Sequence, residues 1–233
     1  LLTLLPAPDF RRLTEAAEQV RLPLRTVVGE PGEPIRHVHF PLTCVISTVV
    51  PMQDGAAVEA ATVGNEGMSG IDLLVGGRAS LYRTMQQVEG ESLRIPAEHF
   101  RAVLSGSEAF RRLLERYILT MTHQAGQTAA CNLRHAVEQR MCRWLLMTHD
   151  RVCDDTFYLT HEVLSFMLGV RRQTISETAA ILHKSKLITY RRGHMSILDR
   201  PGLEAASCEC YQAVRDAYRQ VMGVPDGACD DEK

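Results

Sequence analysis

The chain has 233 residues, 45% hydrophobic and 23% charged, which excludes global disorder and leaves room for two modest domains. No apolar run approaches the ~20 residues that a membrane helix needs, and no charged-then-apolar leader resembles a signal peptide, so a cytoplasmic protein with no membrane partner is expected. The formal net charge of -2 excludes a uniformly basic protein, and seven scattered cysteines, an odd number, do not form a disulfide framework.

The first ten to twenty residues, with Phe10, Leu13 and Val20 at helical spacing, predict a short helix. From Leu22 to Ile95 the pattern changes to short strands and tight turns. EPGEP (30–34) is a turn signal, HVHFPLTCVISTVVP is rich in β-branched residues, and Asp54-Gly55 marks a hairpin. Strands at this spacing predict an antiparallel β-roll or sandwich over 1–106. His37 and His39 on one strand do not make a complete ligand set, because a third ligand at suitable spacing is missing. They leave a cupin-like metalloprotein only as an alternative, and no metal site is assigned.

Over 107–134, Phe110, Leu114, Tyr117, Met121, Gln124, Thr128 and Cys131 follow alternating steps of four and three, the period of a helix packed along another helix. The small residues around Ala125 permit a close approach. The same period fits an amphipathic helix lying on its own domain; as a dimer helix, its expected seam is Phe110, Leu114, Tyr117, Met121, Ala125 and Thr128. A second domain spans 135–226. It opens on a helix with Met141, Trp144, Leu145 and Met147 available for a core. A strand at Phe157 to Leu159 follows, then a helix capped by Thr160 with Glu162 in its first turn. After Gly169 comes LGVRRQTISETAAIL (168–182), and LITYRRGHMSILD reads as two strands joined around Arg192 and Gly193. A helical stretch from Pro201 to Gly223 and an acidic tail, 227–233, complete the chain. Cys208 and Cys210 offer two soft ligands but no paired CxxC.

Charge is unevenly distributed. Residues 159–200 hold seven basic side chains against three acidic ones, so the segment is basic within an acidic chain, as expected if only that segment meets a polyanion. A helix, a glycine turn and a second helix form the arrangement that lays a reading helix across the major groove of double-stranded DNA. With Leu164, Leu168, Val170, Ile175 and Leu182 packed inward, Arg171, Arg172, Gln173, Ser176, Glu177 and Ala180 face out. Arg, Gln and Glu are side chains whose geometry matches base edges. Arg191 and Arg192 at the hairpin tip suit phosphates, as do Thr160 and Thr174 at the two helix starts. Arg171 stands where a capping Ser or Thr is usual, leaving the first amides of the second helix for a phosphate. No catalytic constellation accompanies these features, and the chain is expected not to be an enzyme.

On LTHEVLSFMLGVRRQTISETAAILHKSKLI and the following YRRGHMSILD, the chain resembles the Crp/Fnr family of bacterial transcription regulators. The EPGEP turn, VHFP, GNEGMSGIDLL and RIPAEHF extend that resemblance across almost the whole chain. It implies an α+β fold: an N-terminal antiparallel β-roll of the cyclic-nucleotide-binding type, a long dimerisation helix and a C-terminal winged helix-turn-helix. It further implies a homodimer on a roughly palindromic operator, with RNA polymerase as a further partner if the protein activates. Base reading falls on Arg172, Gln173, Ser176 and Glu177. The nucleotide pocket departs from the family pattern. Gly70 matches, but Ile71 stands where a ribose-binding glutamate belongs, Arg83-Thr84 matches Arg-Ser only with an insertion, and Ala125-Gly126 replaces a polar pair. Cyclic AMP is therefore not expected, although Gly70, Ile71, Arg83 and Thr84 leave an anion or another small ligand as an alternative. The cysteine cluster of the iron–sulfur branch is absent, since Cys44 stands alone in the sensor region.

Overall fold

The computed structural model describes residues 1–53, 57–152 and 154–223. Asp54-Gly55 and the acidic tail lie outside the described residues. After a 3₁₀ turn at Leu2–Leu4, α1 (Ala7–Thr14) starts behind Pro6 and buries Leu13. Val20 belongs not to this helix but to strand β1 (Glu18–Leu22), where it pairs with Ser92. The helical spacing of Phe10, Leu13 and Val20 therefore misplaces one residue, because only Leu13 packs inward while Phe10 is exposed.

β2 (Val27–Gly29), β3 (His37–Pro41), β4 (Val45–Pro51), β5 (Ala57–Val63), β6 (Arg83–Val88) and β7 (Gly90–Pro96) complete the N-terminal half. They form two antiparallel sheets, ordered β1-β7-β3 and β2-β6-β4-β5. Val38, Phe40, Ala61, Val63 and Ile95 fill the space between the sheets together with Phe100 of α2 (Ala97–Gly106). β4 reads as an almost continuous apolar run because both its faces are covered: Val45 and Val49 join the core of the C-terminal half.

Ser107 caps α3 (Glu108–Arg134) by accepting from the Phe110 amide at 3.1 Å, so the helix begins where the sequence changes character. α4 (Val137–Val152) buries Met141, Trp144, Leu145 and Met147 as expected. β8 (Thr156–Tyr158), α5 (His161–Leu168), α6 (Arg172–Lys184), β9 (Ile188–Arg191) and β10 (His194–Ile197) follow, with the strands ordered β8-β10-β9. The expected C-terminal helical stretch is divided into two helices, α7 (Arg200–Ala206) and α8 (Cys210–Met222). The break at 207–209 turns α8 back along α3, where Tyr218, Val221 and Met222 join the sensor core. The fold is thus an α+β β-roll, long helix and winged helix-turn-helix.

The two halves share one apolar cluster. Val45, Val49, Ala57 and Val88 of the roll pack with Trp144, Leu145, Leu164 and Leu168. Polar contacts reinforce it. The buried Glu59 of β5 accepts from Ser47 Oγ at 2.6 Å and from Trp144 Nε1 at 2.9 Å, and burial lifts its carboxyl to about 7 against the hydrogen bonds and the nearby Arg143 and Arg151. Arg151 pairs with Glu66 at 2.7 Å, with both side chains largely buried.

Candidate nucleic-acid interface

Thr160 Oγ1 accepts from the Val163 amide at 3.2 Å and starts α5, and Gly169 ends it in the left-handed conformation at φ 62°. That turn is what swings α6 across α5. Ile175, Ala179 and Leu182 are buried, so the spacing of α6 fixes which face remains free. Arg171, Arg172, Gln173, Ser176, Glu177 and Ala180 are exposed, whereas Thr174 is half-buried. Arg171 is the N-cap residue, and its side chain makes no capping hydrogen bond. The first amides of α6 and the exposed Arg171 and Arg172 thus stand at the same end of the helix.

The outer face is pre-arranged. Gln173 Nε2 donates to Glu177 Oε1 at 2.9 Å, which spans one turn and holds both polar ends together. Ser176 Oγ donates to the Arg172 carbonyl at 3.1 Å and lies 3.0 Å from His161 Nδ1. The His161 ring stacks on Tyr190 of β9, with centroids 4.3 Å apart, and burial followed by the charge of Arg172 pushes its pKa down. His161 and Tyr190 therefore tie α5, α6 and the wing into one surface. Residue type and period single out neither of them. Their only signal in the sequence is position, one just inside the α5 cap and the other just before the Arg191-Arg192 pair.

The wing turns through Arg192 (φ 51°) and Gly193 (φ 85°), both left-handed, as a two-residue hairpin requires. A Cβ at Gly193 would lie 2.6 Å from the Tyr158 ring, so this position needs glycine on two counts. Arg191 and Arg192 are exposed at the tip.

The sensor half holds a cavity of ≈ 260 Å³ between the roll and α3. Gly70, Ile71 and Thr84 line it, with Asp72, Tyr82 and Ala125. Arg83 does not: its Nε donates to Glu30 at 3.0 Å. No arginine or lysine is among the described residues that line it, whereas Asp72 is. The structure thus brings Gly70, Ile71 and Thr84 together at the cavity but not Arg83, which pairs with Glu30 instead. His37 and His39 belong to no cluster of three or more metal-ligating side chains among the described residues.

Four of the six residues expected in the dimer seam face the chain's own core instead. Phe110, Leu114, Tyr117 and Met121 are buried in their own chain, and Tyr117 Oη bonds the Met68 backbone. These four fill the sensor core and offer no surface to a partner, while Ala125 and Thr128 are half-buried. α3 carries a second stripe at the same spacing on its outer face: Leu119, Thr122, Gly126, Ala129 and Leu133, all exposed, with Leu119 at 58% and Leu133 at 84%.

Comparison with known proteins agrees with this geometry. Residues 139–206 match the family described as the Crp-like helix-turn-helix domain. Solved structures extend the likeness to the whole fold. FixK2 from Bradyrhizobium japonicum is 14% identical, with a TM-score of 0.70 over 82% of this chain and 98% of that one. A Crp-family transcriptional regulator from Thermus thermophilus is 18% identical, with a TM-score of 0.64 over 81% and 96%. The c-di-GMP-responsive global regulator CLP of Xanthomonas campestris is 16% identical, with a TM-score of 0.63 over 83% and 100%. The chain therefore has the fold of Crp/Fnr-family transcription regulators, with the Crp-like domain carrying the exposed α6 and the wing. No curated protein matches it by sequence.

Proposed function

We propose that the chain is a homodimeric, sequence-specific DNA-binding regulator of transcription and not an enzyme. The observation that carries this reading is the outer face of α6. It presents Arg172, Gln173, Ser176 and Glu177 together, with Arg171, an uncapped helix start and Arg191 and Arg192 of the wing around them. Base-edge contacts fall to the first four and phosphate contacts to Thr160, Arg171, Thr174, Arg191 and Arg192. Thr160 and Thr174 serve through hydroxyl groups at their helix starts.

Two copies pair along the outer stripe of α3, where Gly126 and Ala129 let the backbones approach and Leu119 and Leu133 fill the flanks. Each α6 then enters a major groove, the two about 34 Å apart on a two-fold symmetric operator. The cavity beside α3 receives no cyclic AMP in this reading, because a phosphate there would meet Asp72 and no cation among the described lining residues. An uncharged or cationic small molecule suits its lining, and Ile118, Met121 and Ala125 of α3 among the lining residues link occupancy to the helix that pairs.

The test is selection from a random duplex library at two salt concentrations, with the bound fraction sequenced. A two-fold symmetric motif supports the reading. Binding that is uniform across sequences and lost with salt overturns it.

A further inference from the structure

The break between α7 and α8 has a chemical consequence. It places Cys208 in the turn and Cys210 at the first position of α8, beside Cys131 near the end of α3 and His135 just beyond it. The three sulfurs and one imidazole nitrogen all lie within 4.8 Å of one another, and the three cysteines are buried. Cys131 Sγ is 3.5 Å from Cys208 Sγ, and Cys210 Sγ is 3.5 Å from His135 Nδ1.

We propose that Cys131, His135, Cys208 and Cys210 form a Cys3His site for Zn2+, one per chain, joining the end of the long helix to the DNA-reading half. Tetrahedral zinc with Zn–S ≈ 2.3 Å and Zn–N ≈ 2.0–2.1 Å sets its ligand atoms about 3.8 Å apart for S···S and about 3.6 Å for S···N. The Cys131–Cys208 and Cys210–His135 separations, 3.5 Å each, are close to those edges, and the remaining pairs lie within 4.8 Å. A disulfide is not what the spacing describes: 3.5 Å far exceeds a sulfur–sulfur bond of ≈ 2.05 Å, and it would leave the third thiol and the imidazole without a role. An iron–sulfur cluster interposes its own iron and sulfide atoms and spreads its ligands beyond this separation. A closed set of three thiolates and one imidazole suits zinc among the divalent metals.

The surroundings match such a site. His135 directs Nδ1 at the cluster and Nε2 at Glu209 Oε1, 3.2 Å away, the carboxylate–histidine arrangement that fixes the tautomer of a metal ligand. Gln127 Nε2 donates to Cys210 Sγ at 3.1 Å. Three thiolates around a divalent cation leave one net negative charge. The buried guanidinium groups of Arg140 and Arg143 on α4 lie close enough to feel these thiols, and among the described residues their Nε atoms have no hydrogen-bond partner. Packing of buried thiols as small hydrophobic groups explains none of these polar contacts.

The experiment is elemental analysis of the full chain purified under reducing conditions, followed by chelation and reloading with Co2+. The expected result is one zinc per chain, and a cobalt spectrum with thiolate-to-metal charge transfer and tetrahedral ligand-field bands. Cys208→Ser and Cys210→Ser should lose both, Cys44→Ser and Cys142→Ser should keep both, and His135→Cys should keep the metal with stronger charge transfer. A reduced, folded wild-type chain that carries no zinc and gives no cobalt spectrum overturns the proposal without recourse to any variant. So does metal content that Cys208→Ser and Cys210→Ser leave unchanged, since the ion would then sit elsewhere.

Discussion

Glu59 makes the interface between the two halves sensitive to pH, and Glu59→Gln isolates the effect. Its carboxyl is fully buried and lifted from 4.5 to about 7, chiefly by burial. The folded value lies above the unfolded one, so the native state holds the extra proton between them. The stability this group contributes is therefore greatest below about 4.5, falls as pH rises through the window up to about 7, and levels off above it. At 1.36 kcal/mol per unit, the loss from this one group amounts to about 3 kcal/mol when the window has been crossed. Glutamine keeps the network while removing the titration. Its oxygen accepts from Trp144 Nε1, its amide donates to Ser47 Oγ, and the serine hydroxyl rotates to suit. Urea unfolding of both proteins across pH 5 to 8.5 is the assay. Glu59→Gln should be more stable by about 2–3 kcal/mol at the alkaline end, corresponding to roughly 4–12 °C in Tm for a chain of this size, and close to wild type at the acid end. Parallel pH profiles for the two proteins would refute the reasoning, since the difference must vanish with protonation.

Arg172→Ala should relax base preference and cost about 1–3 kcal/mol on the preferred site, whereas Arg192→Ala should weaken all sequences alike and lower the salt slope by about one; equal losses on every sequence, read by competition binding, would contradict these roles. Leu119→Glu, on an exposed position, should leave the fold intact and yield monomers by sedimentation, with operator binding reduced to the non-specific level. Tyr117→Ala should instead destabilise the chain by about 3–5 kcal/mol in urea unfolding, as loss of a buried aromatic does, and an unchanged midpoint would place Tyr117 outside the core. Calorimetric titration with cyclic AMP should show no binding, and saturable heat at micromolar nucleotide would contradict the uncompensated Asp72 in the cavity.

Much of the reading helix is legible in the sequence because period and chemistry coincide there. Ile175, Ala179 and Leu182 are apolar at helical spacing and bury, which leaves the arginines outside. α3 shows where periodicity stops being informative. Phe110, Leu114, Tyr117 and Met121 share their spacing with Leu119, Thr122, Gly126 and Ala129, and spacing alone says that a helix packs without saying on what. The aromatic-rich stripe belongs to the chain's own core, where large apolar side chains gain most from burial. The role of Arg83 is hidden for a related reason, because its acid partner Glu30 stands 53 positions earlier. The cysteine cluster is hidden by the same kind of distance. Cys131 and His135 are four apart, but 77 residues separate Cys131 from Cys208, and a helix running unbroken from Pro201 could not turn the second pair toward the first.

The return of α8 also governs how the protein can be made. Tyr218, Val221 and Met222 complete a core whose other members come from residues 1 to 121, so the first half of the chain finishes packing only after the last described helix has left the ribosome. Domains usually fold in order as they emerge. Here most of the roll's core lies within residues 1 to 121, and the flank that α8 covers stays open until the DNA-reading half has been made.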